Sequence, residues 1–266
     1  MDLILLFKAL LLGLVEGATE FLPISSTGHL IIVGDLMNFL DKEKRDVFEI
    51  VIQLGSILSV CWLYHARLFK IVRTLKNDIQ AQRFVLQLLV AFLPLAILGL
   101  LFHHQIKAVL FKPLPVAIAL IVGGLVILLI EKISPKAHVL NVESMTLLDA
   151  FKIGCAQALA LIPGVSRSGA TILGGMSFGL SRQVATEFSF FLAIPVMFAA
   201  TGYDLLKNRD LLTVDDAGLF LVGFIAAFLS ALVAIKSLIR YVAGHDFRIF
   251  AWYRIALGIA VIVYFW

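Results

Sequence analysis

The sequence predicts an all-α polytopic membrane protein built as two similar halves of inverted topology. Each half is a re-entrant helix–loop–helix hairpin followed by three transmembrane helices. Composition is the first observation behind this reading: of 266 residues, 61% are hydrophobic and 15% charged, with a mean hydropathy of +1.01. Soluble domains carry roughly 45–50% apolar and about 25% charged residues. A globule of this length cannot hide so much apolar surface from water, so lipid is the solvent. That excludes a soluble enzyme, a disordered chain and a secreted disulfide scaffold. Continuous Leu, Ile, Val, Ala and Phe runs, without alternation, exclude a membrane β-barrel.

The apolar runs are the second observation. They fall at about Val47–Tyr64, Phe84–Phe102, Leu114–Ile130, Val184–Leu206, Ala217–Ile239 and Phe250–Trp266. Each is close to the roughly 20 helical residues that cross a hydrocarbon core of about 30 Å.

Third, two regions are interrupted. Leu3–Leu22 leads through Pro23-Ile24-Ser25-Ser26-Thr27-Gly28-His29 into Leu30–Leu40, and Leu147–Ile162 leads through Pro163-Gly164-Val165-Ser166-Arg167-Ser168-Gly169-Ala170-Thr171 into Ile172–Leu180. The return legs reach only about 15 Å at 1.5 Å per residue, half a bilayer. Polar tips near the midplane are tolerated only where protein buries them or a cavity receives them.

The halves resemble one another. Gly13-x-x-Glu16 and Ser25-Ser26-Thr27-Gly28 echo Gly154-x-x-Gln157 and Ser166-Arg167-Ser168-Gly169; Val90-Ala91-Phe92-Leu93 echoes Ala226-Ala227-Phe228-Leu229; and Ile118-Ala119-Leu120 echoes Ile255-Ala256-Leu257. The order of the matches favours duplication over chance likeness among membrane helices, with one repeat over about 1–132 and the other over about 144–266 of a single membrane domain, 1–266. Three crossings after a hairpin is odd, so the second repeat enters from the opposite face and the tips meet at the centre. Loop 65–83 carries Arg67, Lys70, Arg73, Lys76 and Arg83, and its face has the larger share of basic residues. The positive-inside rule makes that face cytoplasmic and puts both termini outside. Leu3–Leu14 runs on into Glu16 and Glu20 without a small-residue cleavage site, so it reads as part of the fold, not a signal peptide. Cys61 and Cys155 read as buried, inert thiols. No basic-aromatic patch suggests nucleic acid.

The polar residues at the tips carry the chemistry. Glu16 and Glu20 lie one helical turn apart on one face, and charge within a membrane helix costs at least about 2.5–3.5 kcal/mol. A divalent cation such as Mg²⁺ or Ca²⁺ would compensate; otherwise the pair is solvated at the interface. Ser25, Ser26, Thr27 and His29 form the first tip. With Thr27 opening the return helix, Ser26 and His29 converge as an activated nucleophile with its base, or as a phosphate-binding hydroxyl beside one. The plain alternative for any single hydroxyl is an N-cap. The second tip offers Ser166, Arg167, Ser168 and Thr171 around Gly164 and Gly169, where backbone N–H groups approach anions. Arg167 suits a phosphate; its structural alternative is an ion pair with Glu16 or Glu20. Glu49, Glu187, Gln53 and Gln157 are supporting candidates, and His103 and His104 read as solvated.

Taken together, Glu16-Gly17-Ala18-Thr19-Glu20-Phe21-Leu22-Pro23-Ile24-Ser25-Ser26-Thr27-Gly28-His29 and Pro163-Gly164-Val165-Ser166-Arg167-Ser168-Gly169-Ala170-Thr171 resemble the undecaprenyl-diphosphate phosphatase family of bacterial bacitracin-resistance proteins. The likeness covers essentially the whole chain. It implies hydrolysis of the C55 lipid diphosphate to the monophosphate and inorganic phosphate, which returns the carrier to cell-wall synthesis. It also implies an inner-membrane protein with a site open to the periplasm, divalent-cation dependence, and bacitracin resistance on overproduction. By resemblance, Glu16 and Glu20 match the acidic motif, Ser26, His29 and Arg167 match catalytic residues, and Ser166 and Thr171 match phosphate contacts. The acid-phosphatase-like lipid phosphatases are excluded, because no His follows Ser166-Arg167 or Ser181-Arg182 at their spacing. A lipid flippase or transporter is the alternative from the inverted-repeat pattern; a nucleophile, base and cation together favour the enzyme. The partners expected are the lipid substrate and membrane lipids; a homodimer is compatible with the sequence, and nothing in it requires one.

Overall fold

The computed structural model describes residues 2–110, 112–208 and 216–265, with the side chains of 103–110 excepted. The side chains of His103, His104 and Lys107, and the whole of Arg209, therefore lie outside the described residues.

Among the described residues eleven α-helices follow in order: α1 (Leu3–Glu20), α2 (Ser26–Leu36), α3 (Lys42–Leu63), α4 (His65–Thr74), α5 (Ile79–Leu110), α6 (Pro113–Ile133), α7 (Leu147–Ala158), α8 (Arg167–Ser177), α9 (Arg182–Lys207), α10 (Ala217–Val242) and α11 (Arg248–Phe265). Six of them, α3, α5, α6, α9, α10 and α11, are long and apolar enough to cross a membrane. Each matches one of the expected apolar runs to within a few residues, and α3, α5 and α9 begin earlier, in polar turns. Asp41 caps α3 through the Lys44 N–H, and Asp78 accepts from Gln80 N–H at the start of α5. Those side chains satisfy N–H groups that a helix start leaves open.

Helix α4 corrects the expectation of a plain loop over 65–83. Leu68 and Ile71 pack on the core while Phe69 and Val72 are exposed. That division, with Arg67, Lys70 and Arg73 beside it, is the pattern of a helix lying along a membrane surface.

Both hairpins leave by the face they enter. Lys8 Nζ of α1 donates to Asn38 O beyond α2, and Val139 before α7 bridges to Leu180 after α8. The faces differ: the first hairpin's ends lie with Lys44 and its ion-pair partner Asp216, the second's with the Arg182–Glu131 pair and Phe247 N–H, which donates to Glu131. The two return helices have 11 residues each, about 16 Å long. α1 packs on α10 and α7 packs on α5, both through glycines. A Cβ on Gly13 or Gly17 would meet the backbone of Gly223 or Ala227, and one on Gly154 would meet Ala91. This arrangement is compatible with two inverted repeats. The buried Phe188, Phe190 and Phe191 of α9 run through the centre of the larger core cluster.

The cysteines correct another expectation. Both are free, but Cys155 is exposed and Cys61 is half-buried. Cys155 shares the outer side of α7 with the exposed Leu148 and Phe151, a face turned to lipid, where an apolar thiol needs no burial in protein.

Candidate active site

The two tips start their return helices in the same way. Ser25 (φ 70°) precedes α2 and Ser166 (φ 76°) precedes α8, both left-handed, and each hydroxyl accepts from the backbone N–H three residues on, Gly28 at 3.4 Å and Gly169 at 3.1 Å. A non-glycine residue there is strained by about 1–3 kcal/mol and is held by its surroundings. Helix α2 therefore opens one residue earlier than expected, at Ser26, and Ser26 and Arg167 occupy the same position of the two tips.

Between them stands Glu20, the last residue of α1. Ser26 Oγ donates to Glu20 Oε2 at 2.5 Å, and Arg167 Nη2 donates to Glu20 Oε1 at 3.0 Å. Arg167 Nη1 donates to Ser189 O at 3.0 Å, while Arg167 Nε is buried with no partner among the described residues. Its guanidinium lies 5.7 Å from the Phe21 ring centre. All three side chains are 11% exposed or less.

The expected convergence of Ser26 with His29 does not occur. His29 Nδ1 lies 2.7 Å from Ser25 O and Nε2 lies 2.7 Å from the Tyr253 hydroxyl, so both ring nitrogens are engaged elsewhere. The reason is geometric: with Ser26 as the first helical residue, its side chain turns back to α1, and the imidazole one turn later reaches the tip backbone and α11.

The remaining hydroxyls divide. Ser25, Thr27 and Ser166 line a cavity of about 530 Å³, together with Glu20, Ser26, Arg167 and Gln53. Ser168 Oγ instead donates to Leu22 O across the tip junction at 2.8 Å, and Thr171 Oγ1 lies 2.6 Å from Ser189 Oγ. Both brace the tips. Away from the polar end the cavity is apolar, running between α5 (Phe92, Ala96, Gly99) and α9 (Val196, Ala200), which contain Pro94 and Pro195. Glu187 pairs with Arg67 at 2.5 Å, and Glu49 lies 3.9 Å from Arg45. Gln157 donates to Ala91 O at 3.4 Å.

Glu16 is 1% exposed, and its Oε1 has no hydrogen-bond partner among the described residues. A buried carboxylate oxygen left open, one turn from Glu20, fits a hard cation that prefers oxygen ligands. Among the described residues no group of three or more His, Cys, Asp or Glu could hold a metal ion, so any further oxygens would come from hydroxyl, amide or backbone groups, substrate or water.

Arg254 is the residue that sequence reasoning missed. It sits in α11, 1% exposed, and donates to Pro23 O, Val165 O, Ala119 O, Gly164 O and Leu120 O at 2.8–3.3 Å. One guanidinium thus joins both tips and α6, with carbonyl dipoles around its charge. The signal was present: Arg254 is a lone charge inside the apolar run Phe250–Trp266, as Arg167 is in the second hairpin.

Six apolar crossings and two broken hairpins, with hydroxyls, a carboxylate and a guanidinium sealed at their junction, define a multi-pass membrane protein with a buried polar site. Residues 9–260 match the family described as Bacitracin resistance protein BacA, and the chain belongs to that family. It is 62% identical over 266 residues to undecaprenyl-diphosphatase 2 of Rhodospirillum rubrum, covering all of this chain and 97% of that protein. It is also 62% identical over 271 residues to undecaprenyl-diphosphatase of Methylobacillus flagellatus, covering the whole of both chains. The enzyme of that name from Nitrosomonas europaea is 60% identical over 263 residues, covering 99% of this chain and 96% of the relative.

Proposed function

We propose that this protein is a membrane phosphatase that hydrolyses undecaprenyl diphosphate to undecaprenyl phosphate and inorganic phosphate, recycling the lipid carrier. The observation that carries the mechanism is Arg167 Nε, a buried donor without a partner at the wall of a cavity that also holds Ser26 and Glu20. A diphosphate at the tips meets that N–H, the first turns of α2 and α8, and the Ser25, Thr27 and Ser166 hydroxyls. The polyprenyl chain follows the apolar walls between α5 and α9. Ser26 Oγ attacks the terminal phosphorus and gives its proton to Glu20, and the bond to the bridging oxygen breaks to release the lipid monophosphate. Water then cleaves the phosphoserine, its two protons leave with inorganic phosphate, and Glu20 returns its proton to Ser26 Oγ. Arg167 stabilises charge on the transferring phosphoryl oxygens.

Glu16, with Glu20, would hold a divalent cation, Mg²⁺ or Ca²⁺, which when bound neutralises phosphate charge at the site. The face with loop 65–83 is cytoplasmic, both termini are periplasmic, and the two halves are inverted repeats in a bacterial inner membrane. A transporter needs binding groups alone; a hydroxyl already hydrogen-bonded to a carboxylate favours chemistry over carriage. The test is phosphate release by purified protein in detergent with undecaprenyl diphosphate and Mg²⁺ or Ca²⁺. Binding without release would leave only carriage.

A further inference from the structure

We propose that His29 and Tyr253 form a strut that fixes the first tip, so that His29 is a positioning residue and not the proton acceptor. The argument begins with hydrogen-bond direction. Ser25 O can only accept, so His29 Nδ1, 2.7 Å away, carries a proton. In the neutral ring, the only form that could act as a base, the lone pair is then on Nε2, and Tyr253 O–H donates to it across 2.7 Å. The rings are nearly parallel, 5° apart with centres at 5.6 Å, and His29 is 8% exposed. The lone pair that a general base needs is already occupied by a phenol from α11.

What the strut holds is the strained link of the tip. Ser25 has φ 70° and ψ 94°, outside the relaxed range of an L-residue. Its carbonyl receives the imidazole N–H, and its hydroxyl receives Gly28 N–H. With Ser25 so fixed, Ser26 becomes the first residue of α2 and its Oγ faces Glu20. In the second tip Ala170 stands three residues after Arg167, where His29 stands three after Ser26. There Arg254 takes the backbone carbonyls of Gly164 and Val165. The neighbouring residues Tyr253 and Arg254 thus brace the two tips from one turn of α11.

The inference rests on the reading of Ser26 and Glu20 as the reacting pair. Asparagine is the decisive replacement, because its amide N–H can overlay Nδ1–H yet accepts no proton near neutral pH. The measurement is lipid-diphosphate hydrolysis against pH, with folding followed by thermal unfolding in detergent. His29→Ala is expected to lose about 10²-fold in kcat, the scale of a misplaced reacting group. His29→Asn is expected to stay within about tenfold of the parent, with the acid and base limbs of the pH profile unmoved. Tyr253→Phe is expected to lose about three- to tenfold in kcat, and combining it with His29→Asn adds nothing further. A folded His29→Asn protein as inactive as His29→Ala, or one whose pH profile loses a limb, would overturn the strut and make His29 the base. If His29→Ala does not fold, the Asn and Phe variants decide alone. Ser26→Ala run alongside separates the two readings: if it keeps its rate, the Ser26 assignment fails, whatever the His29 series gives.

Discussion

Glu20 and Arg167, 147 residues apart in sequence, are held 3.0 Å apart where the hairpin tips meet, with Glu20 receiving the Ser26 hydroxyl on its other oxygen. One carboxylate therefore joins the hydroxyl of one tip to the guanidinium of the other. The site exists only when both halves of the chain are in place.

Ser26→Ala tests covalent catalysis. Turnover should be almost abolished while the lipid still binds, because the mutation removes the attacking oxygen and leaves Arg167 in place. Retention of more than about a tenth of the rate, well above the 10²–10⁴-fold loss expected for a reacting group, would reduce Ser26 to a phosphate ligand. Single-turnover phosphate release is the measurement.

Arg167→Lys should not rescue. The guanidinium divides its donors among Glu20, Ser189 O and a free Nε, and an ammonium cannot reproduce that fork. A loss of about 10²–10³ in kcat is expected. Wild-type kcat in the lysine variant would show that charge alone suffices.

Removing the divalent cation with excess chelator should abolish phosphate release, and Mg²⁺ or Ca²⁺ should restore it. Glu16→Gln should raise the metal concentration needed for half-maximal rate. Full activity in chelator would take the metal out of the mechanism.

Arg254→Met should destabilise the fold as well as the site. The tip carbonyls of Pro23, Gly164 and Val165, which lie outside any helix, lose this donor, and leaving even one buried polar group unpaired costs about 1–3 kcal/mol. The expected result is a clear drop in thermal midpoint together with lost turnover. An unchanged midpoint would mean that the tips hold themselves.

Gly17→Ala should weaken α1 against α10. The added Cβ would come to 2.1 Å from Ala227 O and from Ser230 Oγ, and since one of these is backbone the helices have to part. Overpacking of this kind costs about 1–3 kcal/mol. Thermal unfolding of the variant measures it, with Gly244→Ala, which has open space around it, as the neutral control.

The helices were legible because lipid imposes a simple rule. Every backbone polar group must be satisfied locally, so long apolar runs such as Phe84–Phe102 have to be helical, and the polar breaks at Pro23 and Pro163 have to be buried in protein. Glu16, Glu20, Ser26 and Arg167 were legible for the same reason, since charge and hydroxyls at membrane depth are expensive without partners. Helix α4 was harder to see, because a surface helix of ten residues with three charges among them reads as a loop.

Which partner each group takes was decided only by the tertiary structure. Spacing in sequence suggested Ser26 with His29, three residues apart on one helix. The fold instead gives Ser26 to Glu20, His29 to Tyr253 and Arg167 to Glu20, the latter two pairings spanning 224 and 147 residues. Arg254 likewise gains its role only from the meeting of both tips with α6 and α11. The sequence by itself determined what had to be buried and where along the chain the helices break, because those depend on the transfer of single residues into lipid. Pairing depends on the orientation of side chains brought together by helix packing, and glycine contacts such as Gly17 on Ala227 set that geometry to within a single carbon atom.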